Sequence, residues 1–322
     1  MDISCAFPPG AGAVEYAVLA ERLGYRRVWI YDSPALYGDV WVTLARVAER
    51  TSRIGLGPGV LIPSLRHVLV QASAIATLAE LAPGRLVVAI GTGFTGRMAL
   101  GQRALPWSTV ERYLRQLRAL LRGETVEVDG AAVRMLHPDG YAPRRPIDVP
   151  IIVAANGPKG LRVARELGDG LMCVGNPQPG FAWCALLTLG TVLDAGEAPD
   201  SPRAWAAAGP ALTVAYHGIY ETGGVAVDNF PGGTAWRATI EAIPEPVRHL
   251  ALHELHLVAV TERDRPLLDG QMLTAFTWTG PDAELRTRLQ DAAAAGATEL
   301  MYAPMGPDVP RELRAFARMA GL

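Results

Sequence analysis

Short, continuous apolar segments recur along this chain, separated by longer segments in which apolar residues have helical spacing. Strands covered by helices on both faces have such continuous runs, whereas half-exposed strands alternate between apolar and polar residues. Eight runs predict the strands Ile3–Phe7, Arg27–Tyr31, Arg53–Gly57, Arg85–Ile90, Pro150–Ala155, Gly170–Val174, Ala211–Tyr216 and Glu299–Pro304. Eight parallel strands, most of them followed by a helix, predict an α/β fold of the (β/α)8 TIM-barrel type.

The length of the chain, 322 residues, suits one such barrel. Because no linker divides the sequence, we expect a single domain over residues 1–322. Two segments interrupt the alternation of predicted strands and helices. One, at about 124–149, predicts a hairpin, and the other, at about 218–279, predicts a mostly helical insertion before the last strand.

Composition and charge exclude several function classes. The net charge is −2 and the arginines are scattered, so no basic face for nucleic acid is expected. Since no apolar run approaches about twenty residues, no membrane span is expected, and the N-terminus does not resemble a signal peptide. Cys5, Cys173 and Cys184 are too few and too far apart for a disulfide framework, which predicts buried thiols and a cytoplasmic protein.

In a TIM barrel, functional residues gather where the strands end. The predicted strand ends are rich in glycine and proline, and among them Asp32 and His217 are the clearest acid–base candidates, with Tyr31 as a further candidate catalytic residue. No metal-ligand motif is present, so no metal site is predicted. Three histidines of the insertion, His249, His253 and His256, could face the barrel mouth, but solvated or hydrogen-bonded histidines are the favoured interpretation.

Two glycine-rich segments could bind phosphate. Gly91, Gly93 and Gly96 form a G-x-G-x-x-G pattern after a predicted strand, but the acidic partner of a dinucleotide site would fall on Glu111, inside a predicted helix. The segment "AANGPKG" places the only lysine of the chain, Lys159, in the first turn of a helix. Free backbone N–H groups and the helix dipole could form an anion site there, although an ordinary turn with an asparagine cap has the same sequence.

Several segments together resemble the luciferase-like monooxygenase superfamily, especially its F420-dependent reductases of the methylenetetrahydromethanopterin reductase type. The resemblance is carried by the ordered motifs "GVLIPSLRH", "AIGTG" and "AANGPK", and it extends over almost the whole chain, most weakly over residues 177–270. It implies a bulge with a cis peptide bond at Gly59–Val60 that supports a flavin-type ring. Many members have a histidine where this chain has Ser33.

The resemblance also implies which residues bind the cofactor. Val60 and Leu61 would lie against the ring, and Asp32 would lie near its polar edge. The remaining implied contacts are to the ring, the ribityl chain and the phosphate, and they come from Ser33, Gly59, Thr92, Gly93, Phe94, Asn156, Gly157, Pro158 and Lys159.

The implied activity is hydride transfer between reduced F420 and a substrate with an activated C=C or C=N bond, such as an enone, an imine or a dehydroamino acid. An FMN-dependent monooxygenase and a cofactor-less partner subunit are the alternatives. The substrate is expected to be a small molecule or a peptide, covered by residues 183–190 and by the insertion. A homodimer through the helices Asp39–Thr51 and His67–Ala82 is predicted.

Overall fold

The computed structural model describes residues 1–322 and consists of a strand barrel surrounded by helices. Its strands are β1 (Asp2–Phe7), β2 (Arg27–Ile30), β3 (Gly55–Pro58), β4 (Val88–Ile90), β5 (Val126–Val128), β6 (Ala131–Val133), β7 (Ile151–Ala154), β8 (Gly170–Val174), β9 (Cys184–Leu189) and β10 (Glu299–Ala303). β5 and β6 form a separate antiparallel hairpin, in the segment where the sequence predicts one.

Twelve α-helices and two short 3-10 helices complete the structure. The α-helices are α1 (Ala13–Leu23), α2 (Val40–Arg50), α3 (Val68–Leu81), α4 (Phe94–Met98), α5 (Trp107–Arg122), α6 (Pro158–Leu167), α7 (Pro202–Gly223), α8 (Gly233–Glu241), α9 (Glu245–Leu252), α10 (Met272–Phe276), α11 (Asp282–Ala294) and α12 (Val309–Ala320). The 3-10 helices are Gly224–Asn229 and Arg265–Leu267. None of these helices is long and apolar enough to cross a membrane.

The eight remaining strands are parallel and confirm the predicted (β/α)8 barrel. Their order around the barrel is β3-β2-β1-β10-β9-β8-β7-β4. Two isolated bridges, Leu56 with Leu86 and Leu61 with Ile90, join β3 to β4 and bring the ends of the sheet together. From the first bridge to the second, the chain moves five residues on the β3 side, from Leu56 to Leu61, and four residues on the β4 side, from Leu86 to Ile90. The β3 side therefore contains one extra residue, which forms a bulge.

Apolar residues fill both the inside of the barrel and the layer between strands and helices. Inside the barrel, small residues such as Ala6, Ala89, Ala185 and Ala303 surround the indole of Trp29. A larger cluster of 57 buried residues packs the outer faces of the strands against the helices. Burial on both faces explains why the strands are continuously apolar in sequence.

The amino-terminal end of the barrel is closed by an ion pair. The Glu299 carboxylate accepts hydrogen bonds from Arg27 at 2.5 Å, from the Trp29 indole at 3.1 Å and from the Trp183 indole at 2.9 Å. The Arg27 guanidinium also lies over the Trp183 ring, 4.7 Å from its centroid. These contacts lie at the opposite end from the predicted site and therefore concern stability.

The seventh barrel strand differs from the prediction. Ala211–Tyr216 was predicted as a strand, but these residues lie within α7, whereas the seventh strand is β9. Short apolar runs do not distinguish a buried strand from a buried helix, and this run continues an alanine-rich helical segment. Residues 183–190, expected to cover the substrate, therefore belong mostly to the barrel wall.

The insertion accordingly begins directly after β9 and not at residue 218. It has a hydrophobic core of its own, in which α7 packs on α10 and on the 3-10 helix Gly224–Asn229, and α8 packs on the same 3-10 helix. Ten buried residues form this core, namely Trp205, Ala208, Leu212, Tyr216, Val227, Trp236, Ile240, Leu252, Leu268 and Leu273. The insertion is thus a packed helical unit at the carboxyl-terminal side of the barrel strands.

Candidate active site

Three neighbouring strand ends form the floor of the candidate site. Gly91, after β4, lies between the Val60 side chain and the Ala154 side chain, and a Cβ on this glycine would be 3.1 Å from the first and 3.3 Å from the second. Val60 and Ala154 are half-buried at the top of the barrel interior. These small and aliphatic side chains leave an apolar surface on which a flat ring can lie.

The close packing around the β3 bulge explains why this segment contains glycines. A Cβ on Gly57 would lie 1.8 Å from the carbonyl oxygen of Val87, so only glycine allows the two main chains to approach this closely. A Cβ on Gly59 would be 3.2 Å from Cβ of Trp29. The Gly59–Val60 peptide bond is cis, which confirms the expectation from the family resemblance.

The loops after β2, β3 and β4 pack against one another. Gly93 has a φ of +79° and begins α4, and a Cβ here would lie 2.6 Å from the Ile62 side chain. A Cβ on Gly96 would meet Ile62 at 2.5 Å and the Ser33 hydroxyl at 3.2 Å. The predicted residues Ser33, Leu61, Thr92, Gly93 and Phe94 are therefore on loops held together in space, and the Phe94 ring is 39% exposed.

Asp32, which is buried, forms an ion pair with the partly buried Arg66 at this end of the barrel. Arg66 donates from Nη1 to the two carboxylate oxygens of Asp32, at 2.8 and 2.7 Å, and from Nη2 to Asp39 at 2.8 Å. Burial raises the pKa of the Asp32 carboxyl, and the hydrogen bonds and charge of Arg66 oppose this shift. Asp39 in turn caps α2 by accepting from the N–H groups of Trp41 and Val42.

Tyr31 lies next to Asp32, directly after β2. Its hydroxyl donates to the carbonyl oxygen of Ala6 at 3.3 Å. Burial raises the pKa of the Tyr31 phenol well above its ordinary value, so the phenol stays protonated at neutral pH. The residue can therefore hold a proton at the top of the barrel interior.

The start of α6 offers backbone donors. Gly157 is the N-cap, Pro158 is the first helical residue, and no side chain caps this end. The N–H groups of Gly157, Lys159 and Gly160 have no hydrogen-bond partner within the protein. Asn156 does not cap the helix, because its side-chain oxygen accepts from the Val174 N–H at 3.0 Å.

The chain is also open in front of these donors. Asn156, Gly157, Pro158 and Lys159 are all exposed, and a Cβ on Gly157 would have no neighbour within 4 Å. Gly160 is buried instead, because a Cβ there would lie 2.3 Å from the Trp107 ring. The arrangement matches a phosphate site, in which N–H groups and the positive end of a helix dipole face an anion.

His217 is not at a strand end, and its predicted place at the barrel mouth is wrong. It lies within α7 and is 1% exposed, packed against Trp236 with 5.7 Å between the ring centroids. The error follows from the misassigned strand, which put His217 directly after it. The structure thus gathers the other predicted residues around the barrel mouth and places His217 in the insertion.

Sequence reasoning missed Arg66 as a site residue. The sequence did contain a signal, because Arg66 belongs to the "GVLIPSLRH" motif and follows Val60 of the bulge by six residues. Its partner Asp32 is more than thirty residues earlier, and only the pairing of β2 with β3 brings them together.

The dinucleotide alternative is not supported by the fold. Gly91, Gly93 and Gly96 precede α4, which has only five residues, and the sheet is a barrel rather than an open doubly wound sheet. Glu111 lies in α5 and pairs with Arg115 and Arg162 on the surface.

Comparison with known proteins adds a family and several relatives. The family model described as luciferase-like monooxygenase matches residues 6–299. A 5,10-methylenetetrahydromethanopterin reductase from Methanolobus tindarius is 36% identical over 163 residues, which are 49% of this chain and 48% of the relative. An F420-dependent glucose-6-phosphate dehydrogenase from Beutenbergia cavernae is 37% identical over 177 residues, 49% of this chain and 51% of the relative.

These alignments span about half the length of the curated relatives. A solved structure of the coenzyme F420 dependent tetrahydromethanopterin reductase from Methanopyrus kandleri superposes with a TM-score of 0.69 at 21% identity, covering 99% of this chain and 97% of that chain. This similarity shows that the two chains share a fold.

Proposed function

This chain belongs to the luciferase-like monooxygenase family, and we propose that it is an F420-dependent oxidoreductase. The relatives named above act with F420 or on a methanopterin, according to their names, and they differ from one another in substrate. The proposal therefore concerns the cofactor and the reaction type first, and the substrate second.

The observation that carries the proposal is the uncapped start of α6 beside an apolar floor. The N–H groups of Gly157, Lys159 and Gly160 are unpaired, Gly157 and Lys159 are exposed, and Lys159 adds a positive charge. Three residues before Gly157, Ala154 forms the floor together with Val60. A cofactor that combines a flat ring with a phosphate fits both parts at once.

The residues would hold F420 as follows. Val60 and Leu61 would support the ring, Asp32 and Ser33 would lie near its polar edge, and Gly59 would leave room for it. The neighbouring loop would contact the ring or the ribityl chain through Thr92, Gly93 and Phe94. Asn156, Gly157, Pro158 and Lys159 would surround the phosphate.

When bound and reduced, F420 supplies a hydride from its C5 position to a substrate with an activated C=C or C=N bond. The protein's part is to orient the reactants and to exclude water. Arg66 fixes the Asp32 carboxylate in one orientation through two hydrogen bonds. Because burial raises its pKa, the Tyr31 phenol keeps its proton, and it is our candidate for the group that donates a hydrogen bond to the substrate where negative charge develops.

A cavity beside the site suits a small substrate. Its volume is about 500 Å³, and it lies between barrel loops that contribute Ala35, Leu36 and Ala99 and the end of α9, which contributes Leu250. Because the lining is mostly apolar, we propose a substrate with an extended apolar part, such as an enone, an imine or a dehydroamino acid.

A fluorescence titration tests the cofactor. Cofactor-free protein is titrated with oxidised F420 and, in parallel, with FMN, at the same ionic strength. Saturable binding of F420 with at least tenfold preference over FMN supports the proposal. A preference for FMN would replace it with an FMN-dependent monooxygenase, and binding of neither cofactor would favour a partner subunit without a cofactor.

We further propose that two copies associate through α2 and α3 in the cytoplasm. These helices expose Val42, Val70 and Leu81, with exposed fractions of 64%, 55% and 43%. Large apolar side chains on neighbouring helices favour an interface. Sedimentation equilibrium tests the association, and a strict monomer at micromolar concentration would contradict it.

A further inference from the structure

Three buried histidines meet inside the insertion. His217 comes from α7, while His253 and His256 come from the turn after α9, and their exposed fractions are 1%, 2% and 5%. One ring nitrogen from each lies within 4.8 Å of the other two. Buried imidazoles converging on one point are a typical donor set for a transition metal.

His217 has no hydrogen-bond partner in this cluster. Both of its ring nitrogens are buried and unpaired. A buried polar group is nearly always satisfied by a partner, because leaving it unpaired costs free energy. An ion bound at the centre of the cluster would supply a partner for one of the two nitrogens.

Glu221 orients the second histidine. It follows His217 by one helical turn, and its carboxylate lies 2.8 Å from Nε2 of His253. If this nitrogen carries the proton, Nδ1 of His253 keeps its lone pair free and faces Nδ1 of His256 at 3.4 Å. A carboxylate behind a histidine is the usual second partner of a metal-binding imidazole.

We propose that His217, His253 and His256 bind a divalent transition-metal ion such as Zn2+, with Glu221 holding His253 in position. Nitrogens bound to tetrahedral zinc at about 2.0–2.1 Å lie about 3.3 Å apart. The His253–His256 pair already has this spacing, and small rotations of the rings would bring the third nitrogen to it.

The electrostatic surroundings permit a cation. His217 and His256 are buried, and metal binding requires the neutral imidazole, whose lone pair is free. The positive charge of Arg263 acts on His217, and its guanidinium donates two hydrogen bonds to the buried Asp264 carboxylate, which offsets that charge. Glu221 supplies a negative charge at the cluster.

The site would fasten the insertion above the barrel mouth. His256 lies between Leu255 and Leu257, which have φ values of 54° and 56°, and its carbonyl oxygen accepts a hydrogen bond from the Tyr37 hydroxyl in the loop after β2. His253 also lines the cavity of about 500 Å³ beside that loop, which gives an ion a route to the cluster. Metal binding would thus stabilise the wall of the proposed substrate cavity.

The test measures metal binding by untagged, full-length protein. Protein stripped with a chelator is reloaded with Zn2+, separated from free ion, and analysed for metal per chain and for thermal unfolding temperature. We expect one equivalent of zinc and a rise in unfolding temperature in the wild type, and neither in His217→Ala. His249→Ala removes a histidine of the same segment outside the cluster and should bind like the wild type.

Two further measurements separate the site from a surface effect or a folding defect. Glu221→Gln keeps all three ligands and should weaken zinc binding about 10–100-fold. Co2+ loaded into the wild type should give the visible absorption of a tetrahedral site, which His256→Gln should lose. Less than a tenth of an equivalent of zinc in the wild type, or equal losses in His217→Ala and His249→Ala, would overturn the proposal.

Discussion

Replacing Gly157 with tryptophan tests the proposed phosphate site without disturbing the barrel. The residue has φ −94° and ψ 163°, an extended conformation that any amino acid adopts. A Cβ there would have no neighbour within 4 Å, so the indole can leave the main chain into open space. It would then occupy the region in front of the unpaired N–H groups.

The expected loss follows from the donors that the indole would screen. Three backbone N–H groups, those of Gly157, Lys159 and Gly160, are free to bind a phosphate. A hydrogen bond to a charged group contributes about 1.5–3 kcal/mol. Losing two of them costs about 3–6 kcal/mol, and since every 1.4 kcal/mol is tenfold in affinity, we expect F420 to bind about 10²–10⁴ times more weakly.

The assay is the fluorescence titration with F420, together with the thermal unfolding temperature of each variant. Gly157→Ala adds only a methyl group and keeps every N–H group, so its dissociation constant should stay within a few-fold of the wild-type value. Lys159→Gln removes one exposed charge and should weaken binding a few-fold, with a smaller salt dependence. A tryptophan variant that binds F420 like the wild type, with an unchanged unfolding temperature, would refute the phosphate site.

Three other perturbations address the fold. Glu299→Gln leaves the buried Arg27 guanidinium without its counter-ion, and we expect a loss of about 3–5 kcal/mol in the free energy of unfolding, measured by denaturant titration. Gly57→Ala would place a Cβ 1.8 Å from the Val87 carbonyl oxygen, so we expect more than the about 1–3 kcal/mol of ordinary overpacking, seen as a lower unfolding temperature or insoluble protein. The pKa of Glu197 is lowered from 4.5 to about 2, chiefly by Arg203 against the effect of burial, so its stabilising contribution is complete above pH 4.5 and is lost as the pH falls to about 2. Unfolding temperatures of the wild type and Glu197→Gln should therefore converge over that range.

The changes at Glu299 and Gly57 have controls within the same chain. Glu49→Gln changes an exposed carboxylate on α2 and should alter the free energy of unfolding by less than about 0.5 kcal/mol. Gly59→Ala adds a Cβ at 3.2 Å from its nearest neighbour and should be milder than the change at Gly57. Equal effects at Gly57 and Gly59, an unchanged denaturation midpoint in Glu299→Gln, or parallel pH profiles for Glu197→Gln would each contradict the corresponding reasoning.

The barrel could be predicted because its strands are buried on both faces. Seven of the eight barrel strands lie where continuous apolar runs indicate them, with ends that differ by a few residues. The seventh could not be found this way, since "CALLTL" and "ALTVAY" are equally short and apolar. Although glycine and proline are unfavourable inside helices, α7 continues through Gly209 and Pro210, and Gly209 packs closely on the Trp205 ring.

A predicted site residue was placed correctly where the strand before it was placed correctly. Those that follow correctly placed strands, such as Asp32, Val60 and Gly157, meet at one end of the barrel because parallel strands all end there. The ion pair between Asp32 and Arg66 could not be predicted from the sequence. A strand end and a later loop that meet only in the folded chain leave no recognisable spacing between their residues. His217 was misplaced together with its element.

The histidine cluster was invisible to sequence reasoning for a related reason. Metal motifs are recognised by ligands close together in sequence, and only His253 and His256 meet that condition here. The third histidine, His217, lies on α7, and the apolar core of the insertion packs α7 against the chain after α9.

Since the core of the insertion is separate from the barrel core, the proposed metal site and the proposed cofactor site depend on different parts of the fold. The hydrogen bond from Tyr37 to the carbonyl oxygen of His256 directly connects the insertion to the barrel, because it joins the histidine cluster to the loop after β2. Loss of metal should therefore disturb the substrate cavity before it disturbs the phosphate site at Gly157.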